Sequence, residues 1–297
     1  MEHPLHWILL ALVVLALGYL GVGLVVATRL SASVRQPTEQ TPADEGLDFQ
    51  EVGLDSTDEL SLKGWWVPYD DSSRAVILVH GLEGNKSGEQ VLKTASVYSG
   101  AGYGVLMFDL RGHGESEGKR TTVGYQEVRD VRGALSWLQE DRGFEPGEVV
   151  LHDWSMGGAT VLRSARGTGV AAVVEDSGYA DLPLLLRDRL PESSGLPSFF
   201  NPGIFLMAKL FLDLDPWAVR PKEDAAKLSE EAVPLLIIHS TDDEVVPFEH
   251  AEMLAASYPD AEFWQVMGYG HVEAYSHPEY RQKLLDFLER VESGQAA

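Results

Sequence analysis

A serine, an acid and a histidine occur along the chain in an order that suits nucleophilic catalysis. Ser155 stands in Asp153-Trp154-Ser155-Met156-Gly157-Gly158, Asp243 in an acidic loop after the apolar run 235–238, and His271 just after the apolar run 261–266. A histidine can take the proton of a serine hydroxyl and return it to a leaving group, while a carboxylate fixes the histidine tautomer. These residue types therefore predict acyl transfer through a covalent acyl-enzyme.

The segment around Ser155 resembles a nucleophile elbow, in which a sharp turn from strand to helix exposes the serine hydroxyl. The positive end of the following helix and the amide of Met156 would face a developing oxyanion. We expect the amide of Leu82, in His80-Gly81-Leu82-Glu83-Gly84, to be the second donor, and one such donor is worth ~2.7 to 4 kcal/mol. Asp153 stands where the G-x-S-x-G pattern has its first glycine, so its side chain either crowds the turn or brings a carboxylate near the histidine.

Alternating apolar strands and helical segments must position these residues. The predicted strands are 60–67, 75–79, 104–108, 149–151, 170–174, 234–238 and 261–266, and the predicted helices are 88–99, 125–140 and 278–291. Because parallel strands need crossover connections, the pattern predicts an α/β fold with a mostly parallel central sheet and helices on both faces. The proline-rich segment 178–232 lacks strand signals and is predicted to be an inserted cap. Ligands of such sheets bind at the carboxyl ends of the strands.

The first thirty residues predict a single membrane-spanning helix. From Leu5 to Ala27 every residue is apolar, glycine, or one of the interfacial pair His6 and Tyr19, and about 20 such residues span a bilayer. The predicted organisation is an N-terminal transmembrane anchor over 1–30, a linker over 31–46, and a catalytic domain over 47–297. The protein is therefore expected to be a single-pass membrane protein.

A cleaved secretory signal is the alternative for this segment. Ser31-Ala32-Ser33 is a weak cleavage site, but Glu2 and His3 replace the basic start of a signal, and the apolar run exceeds the ~7 to 15 residues of a signal core. We therefore expect an uncleaved anchor. Arg29 and Arg35 after the span favour a cytoplasmic catalytic domain by the positive-inside rule, although two charges leave the orientation open.

Composition excludes several classes of protein. The chain has 297 residues, of which 44% are hydrophobic, enough for a substantial core. A formal net charge of -23 argues against nucleic acid as a partner. Cysteine is absent, which excludes disulfides, thiolate metal sites and a cysteine nucleophile. Neither a phosphate-loop motif nor H-E-x-x-H occurs, so no metal and no cofactor are expected, and the oligomeric state is left open.

Five motifs in order resemble the α/β-hydrolase family, particularly its lysophospholipase-like and serine aminopeptidase-like branch. The family patterns H-G-x-x-G, D-x-R-G-H-G-x-S, G-x-S-x-G-G, H-G-x-x-D-x-x-V-P and G-x-G-H match, in this order, segments 80–84, 109–116, 153–158, 239–247 and 268–271. The resemblance implies that Asp243, and not Asp242, is the acid, although Ser240 stands where the family usually has glycine. It also implies that 109–116 is a structural turn. Asp176, at another strand end, is the alternative acid.

Two classes of function fit this reading. The first is a serine hydrolase whose small-molecule substrate is a carboxylic ester, with thioesters and amides still open, or an acyltransferase that uses the same triad. The second is a non-catalytic, membrane-anchored binding protein of the same fold, suggested by Asp153 inside the elbow. The apolar cap beside a membrane favours the hydrolase.

Overall fold

The structure, a computed structural model, describes residues 4–69 and 73–295. The chain forms two compact units: the N-terminal segment through Ala32 with Leu182–Val219, and Ser33–Asp181 with the chain from Arg220 onward. Glu2 and His3, which entered the predictions on the N-terminus, lie outside the described residues. So do residues 70–72 and 296–297 of the predicted catalytic domain.

An eight-stranded sheet forms the frame of the larger unit. Its strands are β1 (Gln50–Asp55), β2 (Ser61–Val67), β3 (Ala75–Val79), β4 (Gly104–Phe108), β5 (Val149–Asp153), β6 (Ala172–Asp176), β7 (Leu235–Ser240) and β8 (Glu262–Val266). They lie in the order β1-β2-β4-β3-β5-β6-β7-β8. The pairs β1–β2 and β2–β4 are antiparallel, and every other pair is parallel. The predicted mostly parallel sheet is confirmed, and β1 is an additional edge strand.

Helices of the larger unit cover both faces of this sheet, as predicted. The α-helices of the described residues are α1 (Pro4–Leu30), α2 (Glu89–Gly100), α3 (Val128–Arg142), α4 (Met156–Ala165), α5 (Leu182–Ser194), α6 (Asn201–Phe211), α7 (Pro221–Glu230), α8 (Glu249–Ser257) and α9 (Tyr280–Glu292). Short 3-10 helices lie at Pro42–Glu45, Pro146–Glu148, Ser198–Phe200, Pro216–Ala218 and Ala274–Ser276. Val76 and Leu78 of β3 pack with α2 and α9, whereas Ile77 and Val79 pack with α3, α4, α7 and α8. Two apolar layers therefore hold the sheet from opposite sides.

The carboxyl ends of the parallel strands carry the predicted site. Gly81 follows β3, Ser155 follows β5, and Ser177 follows β6. Asp243 follows β7 and His271 follows β8. Because parallel strands end at one edge of a sheet, residues from five distant stretches of sequence come to the same place.

The smaller unit contains α1, α5 and α6. Its apolar cluster consists of Ala27, Leu190, Ile204, Phe205, Ala208 and Leu214. Among the described residues, one helix is long and apolar enough to cross a membrane, over His6–Leu30 of α1. The segment predicted as a cap over 178–232 divides differently in the structure: residues 182–219 belong to the smaller unit, and α7 belongs to the larger one.

Candidate active site

Ser155 occupies a strained turn between β5 and α4. Its φ is +59°, a conformation that non-glycine residues rarely adopt and that costs on the order of 1–3 kcal/mol. Its amide donates a hydrogen bond of 2.8 Å to the carbonyl of Asp176, which fixes the turn against β6. Gly157 lets the turn approach β3, since a Cβ there would lie 2.5 Å from the Val79 carbonyl oxygen. The sequence thus builds a turn that presents the serine hydroxyl.

Ser155, His271 and Asp243 form one hydrogen-bonded chain. The Ser155 Oγ lies 2.8 Å from His271 Nε2, and His271 Nδ1 lies 2.7 Å from Asp243 Oδ2. The other oxygen of Asp243 accepts hydrogen bonds of 2.8 Å from the amides of Val245 and Val246. The carboxylate is therefore held with one oxygen on the backbone and the other on the imidazole, which selects the tautomer with Nε2 free to accept the serine proton.

The neighbouring residues of the acidic loop have other contacts. Asp242 is exposed and accepts a hydrogen bond of 2.8 Å from the Gly268 amide. His239 is buried and its Nε2 donates to the Val246 carbonyl at 2.9 Å, and burial lowers the pKa of this imidazole. A neutral His239 leaves His271 as the basic group on Asp243. The structure thus distinguishes Asp243 from Asp242 by burial and by partner.

The segment 80–84, predicted to supply an oxyanion donor, passes directly beside the nucleophile. A Cβ on Gly81 would lie 3.1 Å from the Ser155 Cβ and 3.7 Å from its Oγ. His80 anchors the turn because its Nε2 accepts from the Leu110 amide at 3.0 Å and its Nδ1 donates to the Gly81 carbonyl at 2.8 Å. Burial lowers the pKa of His80 to about 4, which keeps it neutral for this role. Leu82 follows Gly81 directly in the chain.

Met156, the other predicted donor, is the first residue of α4. The first amides of a helix have no partner within the helix, and the helix dipole makes this end positive. The residue as a whole is buried at this position. The roles of Leu82 and Met156 as oxyanion donors stay predictions.

A buried ion pair supports the loop that carries Leu82. Lys86 donates from its backbone amide to Asp109 Oδ1 at 2.8 Å and from Nζ to Asp109 Oδ2 at 2.6 Å. Its Nζ also contacts Glu115 at 2.5 Å. Both Lys86 and Asp109 are buried, so the motif 109–116 connects to the loop after β3 through charge. The sequence analysis assigned this motif a structural turn but did not find its partner, Lys86.

Three buried acids lie behind the nucleophile turn. Burial raises the pKa of Asp176 to about 7 and that of Glu175 to about 8, and burial beside Glu175 raises the pKa of Asp153 as well. A Cβ on Gly158 would lie 2.6 Å from Glu175 Oε1 and 2.8 Å from Asp153 Oδ1. The absent side chain of Gly158 makes room for the acids. Asp153 therefore fits inside the elbow, and the acids beside it are Glu175 and Asp176.

Ser177 connects these acids to the loop of the histidine. Its Oγ donates to Asp176 Oδ1 at 2.8 Å and accepts from the amide of Val272 at 3.3 Å. Val272 follows His271 directly. Sequence reasoning considered Asp176 only as an alternative acid and missed Ser177; the signal was an acid-acid-serine run at the end of a buried strand. Asp176 stands beside the triad residues as part of their support.

The α/β-hydrolase class is defined by a strained serine between a strand and a helix. An acid and a histidine follow it along the chain at later strand ends. The model of the alpha/beta hydrolase family matches residues 76–281, and the chain belongs to this family. It is 28% identical over 264 residues to the uncharacterized protein YfhR of Escherichia coli K12, covering 85% of this chain and 84% of that protein.

Two other proteins that the chain resembles have named activities. The chain is 28% identical over 240 residues to the lysophosphatidylserine lipase ABHD12 of Danio rerio, covering 75% of this chain and 60% of that protein. The solved structure of the Pyrococcus furiosus esterase Pf2001 matches with a TM-score of 0.72 at 24% identity, covering 88% of this chain and 98% of the esterase. The structural likeness shows a shared fold.

Proposed function

We propose that this protein is a serine hydrolase that cleaves carboxylic esters through Ser155, Asp243 and His271. The observation that carries the proposal is the hydrogen-bonded chain from Ser155 Oγ through His271 to Asp243, with links of 2.8 and 2.7 Å. Membership of the family, an esterase of the same fold and a lipase relative support it. Thioesters and amides are the other acyl substrates open to the same groups.

In the proposed reaction, Ser155 Oγ attacks the acyl carbon while its proton passes to His271 Nε2. The amides of Leu82 and Met156 bind the oxyanion of the tetrahedral intermediate. His271 then protonates the departing alcohol as the carbon–oxygen bond breaks, which leaves an acyl group on Ser155. Water, deprotonated by His271, attacks this ester, and the acid product leaves with Ser155 restored.

We further propose that α1 is retained as a single-pass membrane anchor. Cleavage near Ser33 would remove Ala27, which is buried against Ile204 and Ala208 of the smaller unit, and expose that cluster. The mass of the protein purified from membranes tests this: the full-length mass supports the anchor, and a chain that begins near residue 34 contradicts it. By the positive-inside rule, Arg29 and Arg35 predict that the catalytic domain lies on the cytoplasmic side of the membrane.

Hydrolysis of p-nitrophenyl acetate and butyrate by the full chain in detergent tests the catalytic proposal. Ser155→Ala and His271→Ala are expected to lose activity and, for Ser155→Ala, labelling by a fluorophosphonate probe. Asp243→Asn is expected to reduce kcat on the order of 10⁴-fold, the loss found when the acid of another serine triad becomes asparagine. The matched control is Asp242→Asn, an exposed neighbour whose activity is expected to be unchanged. Equal labelling of Ser155→Ala and wild type would reject Ser155 as the nucleophile.

Two alternatives are outcomes of the same assays. A folded protein without activity on any acyl substrate and without probe labelling would support the non-catalytic binding protein that Asp153 suggested. The burial of Asp153 beside Glu175 and Asp176 weakens that alternative, because the acid has a place of its own inside the turn. Faster release of p-nitrophenol with added alcohol, together with formation of the new ester, would favour an acyltransferase.

A further inference from the structure

The helix α1 is joined to α6 by direct backbone contact. Tyr19 stacks on Phe200 with ring centroids 5.3 Å apart; its hydroxyl donates to the Phe199 carbonyl at 2.8 Å and accepts from the Gly203 amide at 3.0 Å. One turn later, a Cβ on Gly23 would lie 2.8 Å from the carbonyl carbon and oxygen of Gly203. Glycines that let two helices touch in this way are typical of helix pairs inside membranes. The start of α6 is thus fixed at the level of Tyr19.

The level of Tyr19 along the apolar segment decides the environment of α6. The segment His6–Leu30 is 25 residues long, and a bilayer core needs about 20 residues at 1.5 Å each. If the bilayer core covers residues 6–25 of α1, Tyr19 lies ~9 Å inside its edge, and if it covers residues 11–30, Tyr19 lies deeper. Gly23 meets Gly203, and Ala27 packs with Ile204 and Ala208, so α6 leads from the level of Tyr19 toward the C-terminal end of the span, and its last residues lie near the edge of the core. Tyr19 in lipid needs partners for its hydroxyl, and the Phe199 carbonyl before α6 and the Gly203 amide in α6 supply them.

The outer face of α6 is apolar except for Lys209 near its end, which forms an ion pair with Asp215 at 2.6 Å. Pro202, Leu206 and Leu210 recur every four residues on its exposed side, with Phe199 before the helix and Phe211 at its end. The exposed fractions of Phe199, Leu210 and Phe211 are 63%, 61% and 64%. Transfer of each such side chain from water to an apolar medium is favourable. A surface of this kind marks a contact with lipid or protein.

The helix α5 of the same unit has the opposite character. Its exposed side chains Arg187, Asp188 and Glu192 and the half-buried Arg189 form ion pairs among themselves. Charged groups of this kind stay in water or among lipid headgroups. The smaller unit is therefore amphipathic, with an apolar helix on the membrane anchor and a charged helix elsewhere.

We propose that α6 is embedded in the membrane, with Phe199 and Leu206 in contact with lipid acyl chains and with Leu210 and Phe211 at the edge of the acyl region, where Lys209 lies among the headgroups. The proposal rests on the membrane anchor proposed above, because α1 sets the depth. Lipid is favoured over a second copy of the chain since α6 packs on the span at the level of Tyr19, where the surrounding medium is the bilayer core. The protein would then enter the membrane through two helices, one that crosses it and one that is embedded beside it.

Spin labelling of single cysteines tests the proposal directly, because the natural chain has no cysteine. Nitroxides are placed in the full chain at Phe199→Cys just before α6, Leu12→Cys on α1 and Ser193→Cys at the exposed end of α5, and the proteins are reconstituted in phosphatidylcholine vesicles. Collision rates are measured with oxygen, which concentrates in acyl chains, and with a water-soluble nickel chelate. Leu12→Cys and Phe199→Cys are expected to give oxygen-to-nickel ratios several-fold above that of Ser193→Cys.

The three labelled positions distinguish a failure of this inference from a failure of the proposed membrane anchor. A ratio at Phe199→Cys equal to that at Ser193→Cys, with Leu12→Cys still high, would overturn the membrane position of α6 and leave the anchor intact. A low ratio at Leu12→Cys would overturn the anchor and the inference together. Protection of Phe199→Cys from both reagents would assign this face to protein contact and overturn the lipid assignment. Leu206→Cys repeats the measurement within α6, and circular dichroism of each labelled protein verifies its fold.

Discussion

The buried carboxyl of Asp176 makes the stability of the protein depend on pH. Its side chain lies behind the nucleophile turn, and burial raises its pKa from 3.8 to about 7. Between these values the folded protein keeps a proton that the unfolded chain has released. Folding then takes up a proton, so the free energy of unfolding falls as the pH rises. Asp176→Asn copies the protonated side chain and removes this dependence.

The magnitude follows from the two pKa values. One proton bound only in the folded state changes the free energy of unfolding by ~1.4 kcal/mol per pH unit, and the slope weakens as the pH approaches 7. Integrated from pH 5 to pH 7, the contribution of Asp176 lowers the free energy of unfolding by ~2 kcal/mol. For a domain of this size, that corresponds to ~4 to 8 °C in Tm. The Tm of Asp176→Asn relative to wild type is therefore expected to rise by this amount between pH 5 and pH 7.

Thermal unfolding of both proteins in the same detergent, followed by circular dichroism at pH 5, 6 and 7, measures this difference. Burial lowers the pKa values of His80 and His152 to about 4 and about 3. Because the unfolded chain then binds more protons below pH 6.5, these two residues make the free energy of unfolding rise with pH in that range. That rise is common to both proteins and cancels in the difference. Asp242→Asn is the control, since this exposed acid has a lowered pKa and is ionised in both states throughout the range. A difference between Asp176→Asn and wild type that is the same at pH 5 and pH 7 would refute the reasoning.

Three further predictions concern the nucleophile turn, its supporting loop and the substrate. Gly157→Ala is expected to abolish ester hydrolysis and lower Tm because its Cβ would lie 2.5 Å from a backbone oxygen. The control Gly147→Ala should match wild type, since the nearest atom to its Cβ would be 3.8 Å away. Equal activity of the two variants would contradict a close approach of Gly157 to β3. Lys86→Met leaves the buried Asp109 without its partner and is expected to lower the free energy of unfolding in urea by ~3 to 5 kcal/mol. Lys93→Met removes an exposed ion pair and is expected to cause a much smaller loss. Equally small losses for both variants would show that the Lys86 pair is dispensable. Short and medium acyl chains are expected to be hydrolysed with higher kcat/KM than bulky polar acyl groups because of the apolar cap segment, and a p-nitrophenyl ester series with no dependence on chain length would count against this.

The sequence predicted the parts of the site that are local. Ser155, Asp243 and His271 each stand within a few residues of an apolar strand, so the strand pattern located them at one edge of the sheet before any contact was known. The edge strand β1 escaped prediction because Gly53 interrupts it and only Leu54 is fully buried, which leaves little apolar alternation. The burial of Asp153 and Glu175 could not be predicted either, because these two acids come together only when β5 pairs with β6.

The contact of α1 with α6 could not be predicted for a different reason. Tyr19 and Gly203 are separated by 184 positions, and neither belongs to a motif. An apolar segment indicates a membrane span by its length alone, whatever it packs against. The glycines that permit the contact gain meaning only when the two helices are placed side by side.

The turns of the site support one another through the segment after β6. Ser155, Ser177 and Val272 all have positive φ, at +59°, +61° and +54°, and each such non-glycine residue costs on the order of 1–3 kcal/mol. The Asp176 carbonyl accepts from the Ser155 amide, and the Ser177 hydroxyl accepts from the Val272 amide. The nucleophile turn and the histidine loop are thus bonded to two consecutive residues. Because Asp176 also holds the Ser177 hydroxyl, the buried acids stabilise the strained backbone that brings Ser155 within 2.8 Å of His271.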